Sequence, residues 1–161
     1  VNPITIFMLP NRINEIKTLD DLKKLKGVRT SREQYTDFVE NQLKAYEIET
    51  VDNSYDMFER LFTKKADYIV ISQYYGMVEA SKLGIRNQIS IAKQTIWQVP
   101  MFIGISKLSK ERKMLSQKLT RYLEEPKNRE LLMQNLIRIV NEAEIAAQGL
   151  VPPTFGLEQK Q

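Results

Sequence analysis

Short apolar runs and helix-period segments take turns along the first hundred residues, and that alternation limits the possible folds more than any other feature. "ITIFM" (Ile4 to Met8), "KGVRT" (Lys26 to Thr30), "IETVD" (Ile48 to Asp52) and "ADYIVIS" (Ala66 to Ser72) each have the length and character of a strand. Helical patterns stand between them. In "SREQYTDFVENQLKAY", Tyr35, Phe38, Val39, Leu43 and Tyr46 fall at helical spacing and bury one face, and "SYDMFERLFTKK" places Phe58, Leu61 and Phe62 on one side. "QYYGMVEASKLG" reads as a helix stopped by Gly84 at the C′ position. Strands alternating with helices specify an α/β fold, a mostly parallel sheet flanked by helices and joined by right-handed crossovers. The run "YIVIS" is apolar at nearly every position, as expected of a strand covered on both faces.

Local signals set the boundaries. Pro10 ends the first strand, Thr18 with Asp21 resembles an acidic capping box, and Ser31 with Gln34 forms a second one at the head of a helix beginning near Arg32. "QISIA" and "WQVPMFIGIS" supply the last strands. Beyond Ser106 the character changes to two helices, Lys110 to Leu123 and Arg129 to Ala147, separated by Pro126, with Ser109 as an N-cap for the first. Leu115, Leu119 and Tyr122/Leu123 form one apolar stripe, and Leu132, Leu136, Val140 and Ala143 the other. Residues 149–161 read as a loose tail. No internal repeat or low-complexity segment is present.

Composition narrows the chemistry. With no cysteine and no histidine among 161 residues, disulfides, thiolate nucleophiles, Ser-His-Asp catalysis and His- or Cys-ligated metals are excluded. Neither GxxxxGK[ST] nor GxGxxG occurs, so no nucleotide phosphate cradle is supported. No catalytic residue, cofactor or metal is therefore assigned, and an enzyme on this architecture is the weakest reading. The net charge of +4 invites a nucleic-acid or membrane partner. Acidic residues are interspersed throughout, however, and no aromatic-plus-basic motif accompanies the charge, so a solvated surface explains it and no nucleic acid is expected. No apolar run reaches the ~20 residues of a membrane helix. Val1 leads directly into a strand-like run, so no signal segment is read, and a chain opening on Val reads as a processed or truncated product.

Open parallel sheets bind ligands at the carboxyl ends of their strands, where helix N-termini offer unpaired N–H groups and a partial positive charge. Two strand ends are polar enough to matter. At "RTSRE", the Thr30 and Ser31 hydroxyls with the N–H groups of Arg32 and Glu33 suit a carboxylate; at "SQYY", Ser72 and Tyr75 are candidates. Plainer roles compete at each position. Ser31 and Ser72 serve equally as helix caps, Tyr74 and Tyr75 as loop packing, and Trp97 as core. The residues alone stop at an α/β ligand-binding domain.

The order of these segments resembles a known family. "TLDDLKKLKGVRTSREQYTDFVENQL", "SYDMFERLFTKKADYIVIS" with Asp67, and "IWQVPMFIGISKLSKERKMLSQKL" look like successive segments of the bacterial extracellular solute-binding proteins that serve polar amino acid transporters (family 3), over roughly residues 4 to 145. The resemblance implies the type II periplasmic-binding-protein fold, two α/β lobes closing on a small-molecule ligand that is passed to a membrane transporter permease. It divides the chain into a hinge strand and linker (1–16), the second lobe (17–98), a returning hinge strand "PMFIGIS" with C-terminal helices that pack on the first lobe (99–148), and the tail. The first lobe is expected before Val1, and in its absence the C-terminal helices are expected to cover other surface or to form a homodimer. A periplasmic or extracellular location follows from the resemblance, with membrane anchoring as an option. The implied ligand-binding residues are Thr30, Ser31 and Arg32 for an anionic group and Ser72 for a polar group, with Tyr75 as an outside choice. Ser72 stands where the family's ammonium-gripping aspartate falls, and a neutral hydroxyl holds an ammonium less firmly than a carboxylate does. A ligand-sensing module of a signalling protein is the alternative reading.

Overall fold

The structure is a computed structural model that describes residues 2–93, 97–100 and 103–155. Six strands form one mixed sheet: β1 (Asn2–Met8), β2 (Lys26–Thr30), β3 (Glu47–Val51), β4 (Tyr68–Ser72), β5 (Ser90–Ile91) and β6 (Trp97–Val99). Their order is β3-β2-β4-β1-β5, with β6 also on β1. The parallel part is β3-β2-β4, whereas β1 runs antiparallel to β4, β5 and β6. Parallel pairing follows from the crossover helices, α1 (Asp37–Leu43) between β2 and β3 and α2 (Ser54–Phe62) between β3 and β4. β1 instead reaches β2 through two 3-10 segments, Pro10–Glu15 and Leu19–Lys24. The Thr18–Asp21 capping box is present, on the second of these rather than on an α-helix.

The sheet is covered on both faces. Alternate residues of β4 go opposite ways: Ile69 and Ile71 join Phe7, Val28, Val51, Met57, Phe58 and Leu61 in one core, while Tyr68 and Val70 join Ile4, Ile6, Met8, Leu22, Val39, Leu43 and Trp97 in the other. Helix α3 (Gln73–Lys82) lies on the first face and approaches closely at Gly76, where an added Cβ would stand 2.8 Å from both Phe7 and Ile71. Gly84 follows with φ +68°, the left-handed conformation expected of C′.

Two expectations fail around α1. This helix starts at Asp37 with Thr36 as N-cap, so no helix begins near Arg32 and Ser31 with Gln34 forms no capping box. The Ser31 N–H donates to the Val51 carbonyl at 2.8 Å, which continues the β2–β3 pairing one residue beyond the strand before the chain turns through Ser31 and Arg32. Phe38, read as core, is 68% exposed. It sits about 100° around the helix from Val39, which with Leu43 makes the buried face.

The C-terminal helices are α4 (Arg112–Glu124), whose N-cap is Glu111 and not Ser109, and α5 (Pro126–Ala146), with Pro126 at its first turn rather than between helices. α5 packs on α3, and α4 packs on α5. Arg86 pairs with Glu144 at 3.2 Å and the Tyr74 hydroxyl contacts Met133 Sδ at 3.6 Å, so α5 lies against α3 and the segment that follows it. Val140 is buried there, and Leu136 and Ala143 are half-buried on the expected stripe, but Leu132 is exposed. A homodimer through these helices finds no support, because α5 covers α3 of its own chain. The segment after α5 is not loose over its described part. The Phe155 ring stacks on Phe62 with centroids 4.9 Å apart and tilts against Tyr55 at 5.4 Å. In the returning strand, pairing to β1 covers only Trp97–Val99; Ile103 to Ser106 lie outside any strand, and Met101 and Phe102 fall outside the described residues, as do residues 156–161 of the tail.

Candidate functional site at the carboxyl edge of the sheet

Because β2, β3 and β4 are parallel, their carboxyl ends share one edge. Residues 30–33, 52–54 and 72–75 meet there, and the first residues of β1 lie alongside, with Ile4 paired to Ser72 and to Trp97 of β6. All five residues singled out in the sequence stand on this edge. Their local roles differ. Thr30 is fully buried; its Oγ1 accepts the Arg32 N–H at 3.2 Å and its carbonyl accepts the Glu33 N–H at 3.4 Å, which forms a hydroxyl turn. Ser31 and Arg32 are exposed, and Arg32 Nε donates to the Asp52 carbonyl at 3.2 Å, so its guanidinium is fixed over the end of β3. The carboxylate cradle expected from the N–H groups of a helix at Arg32 and Glu33 is therefore absent. Those donors turn back on Thr30.

Ser72 is buried at the N-cap position of α3. Its N–H donates to the Glu33 carboxylate, 2.9 Å from Oε2 and 3.3 Å from Oε1. Tyr75 is half-buried and its hydroxyl lies 2.9 Å from Ser54 Oγ, tying the head of α3 to the head of α2. Sequence reasoning missed Glu33. The Tyr35 hydroxyl donates to Glu33 Oε2 at 2.7 Å, and burial, with Glu33 adding to it, pushes the Tyr35 phenol well above its usual range. Below this lies a brace. Arg29 makes paired contacts of 2.8 and 2.9 Å with Glu40 and stacks over the Tyr35 ring at 4.9 Å. The Arg29 hydrogen bond holds the Glu40 carboxyl below the usual range against the opposing effect of burial.

Against known proteins, no family model matches the chain, and no curated protein matches it significantly. Solved structures do. An amino acid ABC transporter substrate-binding protein from Streptococcus pneumoniae bound to L-arginine superposes over 91% of this chain with a TM-score of 0.63 and 12% identity. The GluR0 ligand-binding core from Nostoc punctiforme in complex with L-glutamate superposes over 81% with a TM-score of 0.57 and 21% identity. The solute receptor for L-cysteine of Neisseria gonorrhoeae superposes over 92% with a TM-score of 0.59 and 10% identity. The fold is that of the type II periplasmic substrate-binding proteins. The chain spans only 58%, 58% and 56% of those three structures, consistent with one lobe.

Two clefts lie elsewhere. One of about 680 Å³ is lined by Ile13, Ile16 and Lys17 on one side and Ser90 to Lys93 on the other; the second, of about 340 Å³, is lined by Arg86 and Asn87 together with Glu144 and Ala147 to Leu150 around the end of α5. Neither borders the carboxyl edge. Among the described residues no group of three acidic side chains is placed to hold a metal, and no helix is long and apolar enough to cross a membrane.

Proposed function

We propose that the chain is the second lobe of a two-lobed solute-binding protein, which closes on a small polar solute outside the cytoplasm and delivers it to a membrane ABC transporter without making or breaking a bond. The observation that carries this reading is the convergence of Thr30, Ser31, Arg32, Ser72 and Tyr75 on the carboxyl edge of β2 and β4, beside the start of β1 and its partner β6. In this assignment β1 and β6 are the hinge pair. The exposed Ser31 hydroxyl and Arg32 guanidinium take an anionic group, because a guanidinium gives charge-assisted hydrogen bonds to it. Residues of Ser72 and Tyr75 complete the polar wall. Closure then amounts to a ligand selecting the lobe arrangement in which both walls touch it.

The test is a melting screen of the protein expressed from its complete coding sequence against the standard amino acids, small carboxylates and inorganic phosphate. A ligand present at about 100 times its Kd stabilises by about 2.7 kcal/mol, a rise of several degrees in Tm. A flat response across the panel refutes the reading. A sensor module is the second reading, favoured by the likeness to a GluR0 ligand-binding core. A membrane helix and signalling domain encoded in the same gene would decide for it.

A further inference from the structure

Basic and acidic side chains are mixed along most of the chain, but the mixing fails between Lys107 and Arg121. That stretch carries six Lys or Arg residues against the single acid Glu111, so it exceeds the net charge of +4 and leaves the remainder slightly acidic. Lys107, Lys110, Arg112, Lys113, Lys118 and Arg121 are all exposed. Among the described residues none of the six takes part in a salt bridge, whereas Arg12, Arg29, Arg60 and Arg86 elsewhere each do. Arg112 donates to the Lys107 carbonyl at 2.6 Å, a neutral partner that leaves the guanidinium charge uncompensated.

Helix α4 keeps this charge on its outer side. Leu115, Leu119 and Leu123 are its half-buried stripe, and α5 is the helix packed against it. Lys113, Met114, Lys118 and Arg121 stand about 100° or more around the helix from the centre of that stripe. Met114, Lys118 and Arg121 follow one another at i, i+4 and i+7, so an exposed thioether lies in line with two cations. In the turn before α4, Leu108 stands between Lys107 and Lys110 with 93% of its surface exposed. No residue of α4 is buried, and neither of the two clefts reaches it. Such a convex face cannot enclose a small anion, and its apolar side chains gain nothing against a nucleic-acid backbone. It matches a broad anionic surface with an apolar layer beneath. We propose that α4 and the turn before it dock on an anionic lipid bilayer. The cations meet headgroup phosphates, and Leu108 and Met114 enter the boundary of the acyl region. The helix lies on the membrane and does not cross it. This surface is separate from the carboxyl edge, so its failure would leave the solute-binding reading standing.

The experiment is co-sedimentation of the protein, expressed from its complete coding sequence, with two vesicle preparations: phosphatidylcholine alone, and phosphatidylcholine mixed with an equal amount of phosphatidylglycerol. Binding to the mixed vesicles is expected to be at least about 100-fold tighter, and to weaken as sodium chloride is raised. Lys113→Gln, Lys118→Gln and Arg121→Gln together remove only exposed cations without salt bridges, so the melting temperature is expected to hold. At about fivefold per cation, the triple variant is expected to bind the mixed vesicles about 100-fold more weakly. Leu108→Ser removes the inserted side chain and no charge, and is expected to lose about fivefold while keeping the salt dependence. Binding that is indifferent to phosphatidylglycerol overturns the proposal, as does either variant binding as the wild type does. A protein that passes over both vesicle preparations yet binds poly-L-glutamate also overturns it, and would assign the face to an acidic protein partner. Should the triple variant melt early, the contrast between the two vesicle preparations still decides, because it is read on the wild type.

Discussion

Truncating Phe58 to alanine is expected to lower stability by about 3–5 kcal/mol, while the same change at Phe38 costs less than about 0.5 kcal/mol. Both phenylalanines lie in helix-period segments, and periodicity alone reads both as core. The structure separates them. Phe58 is fully buried against the sheet, so removing its ring leaves a cavity among Val51, Leu61 and Ile69; Phe38 is 68% exposed on the solvent side of α1. A loss of this size shifts the melting temperature by roughly 10 °C in a domain of this length. Thermal melts followed by circular dichroism measure both variants. Equal shifts would contradict the placement of Phe38 on the solvent side of α1.

Asp67→Ala is the second large effect, and it carries a pH signature. Asp67 opens β4 at the edge opposite the site, where its Oδ2 accepts the Lys26 N–H at 2.8 Å and its Oδ1 is hydrogen-bonded to Arg12. Arg12 in turn makes two hydrogen bonds to Glu15, which locks the 3-10 segment after β1 onto the base of β2 and β4. Burial opposes ionisation of Asp67, but Arg12 and the Lys26 N–H outweigh it and hold the carboxyl below its usual range. The folded pKa is thus depressed. Its contribution is complete above the unfolded value of about 3.9 and is lost as the pH falls from there through the lower folded value. With the side chain 25% exposed, the variant is expected to cost about 2 kcal/mol at pH 7, and the gap between variant and wild type closes in that acid window. Urea titrations at pH 7 and near pH 2.5 test it, and a gap that persists in acid would assign Asp67 a role unrelated to its charge.

Much of the fold was legible because its signals are local. "YIVIS" is apolar on both faces and became the doubly covered β4; Gly84 took the left-handed C′ position; Leu115, Leu119, Leu136, Val140 and Ala143 turned inward as their spacing implied. The direction of β1 was not legible, since whether a strand joins its neighbours parallel or antiparallel depends on the path of a connection that carries no helical period. The segment from Ser31 to Thr36 misled for a related reason. Ser31 and Gln34 satisfy a local capping rule, yet long-range partners hold this segment instead: the Ser31 N–H goes to the Val51 carbonyl, and the neighbouring Glu33 carboxylate accepts the N–H of Ser72, 39 residues away. That competition also hid Glu33. Thr30, Ser31 and Ser72 advertise themselves by lying at strand ends, whereas an acidic residue two positions into a loop looks like ordinary surface. One signal was available: Glu33 follows directly on a hydroxyl turn at the carboxyl end of a parallel strand, where any side chain can reach the next strand's end.

Amide hydrogen exchange on the complete protein, with and without whichever amino acid or small anion raises its Tm most, tests the placement of the site most directly. Solute binding at the carboxyl edge predicts slowed exchange in peptides spanning residues 30–33, 52–54 and 72–75, with little change around residues 13–19 and 90–93 beside the larger cleft. Ligand-dependent protection at the larger cleft with none at the three strand ends would contradict it.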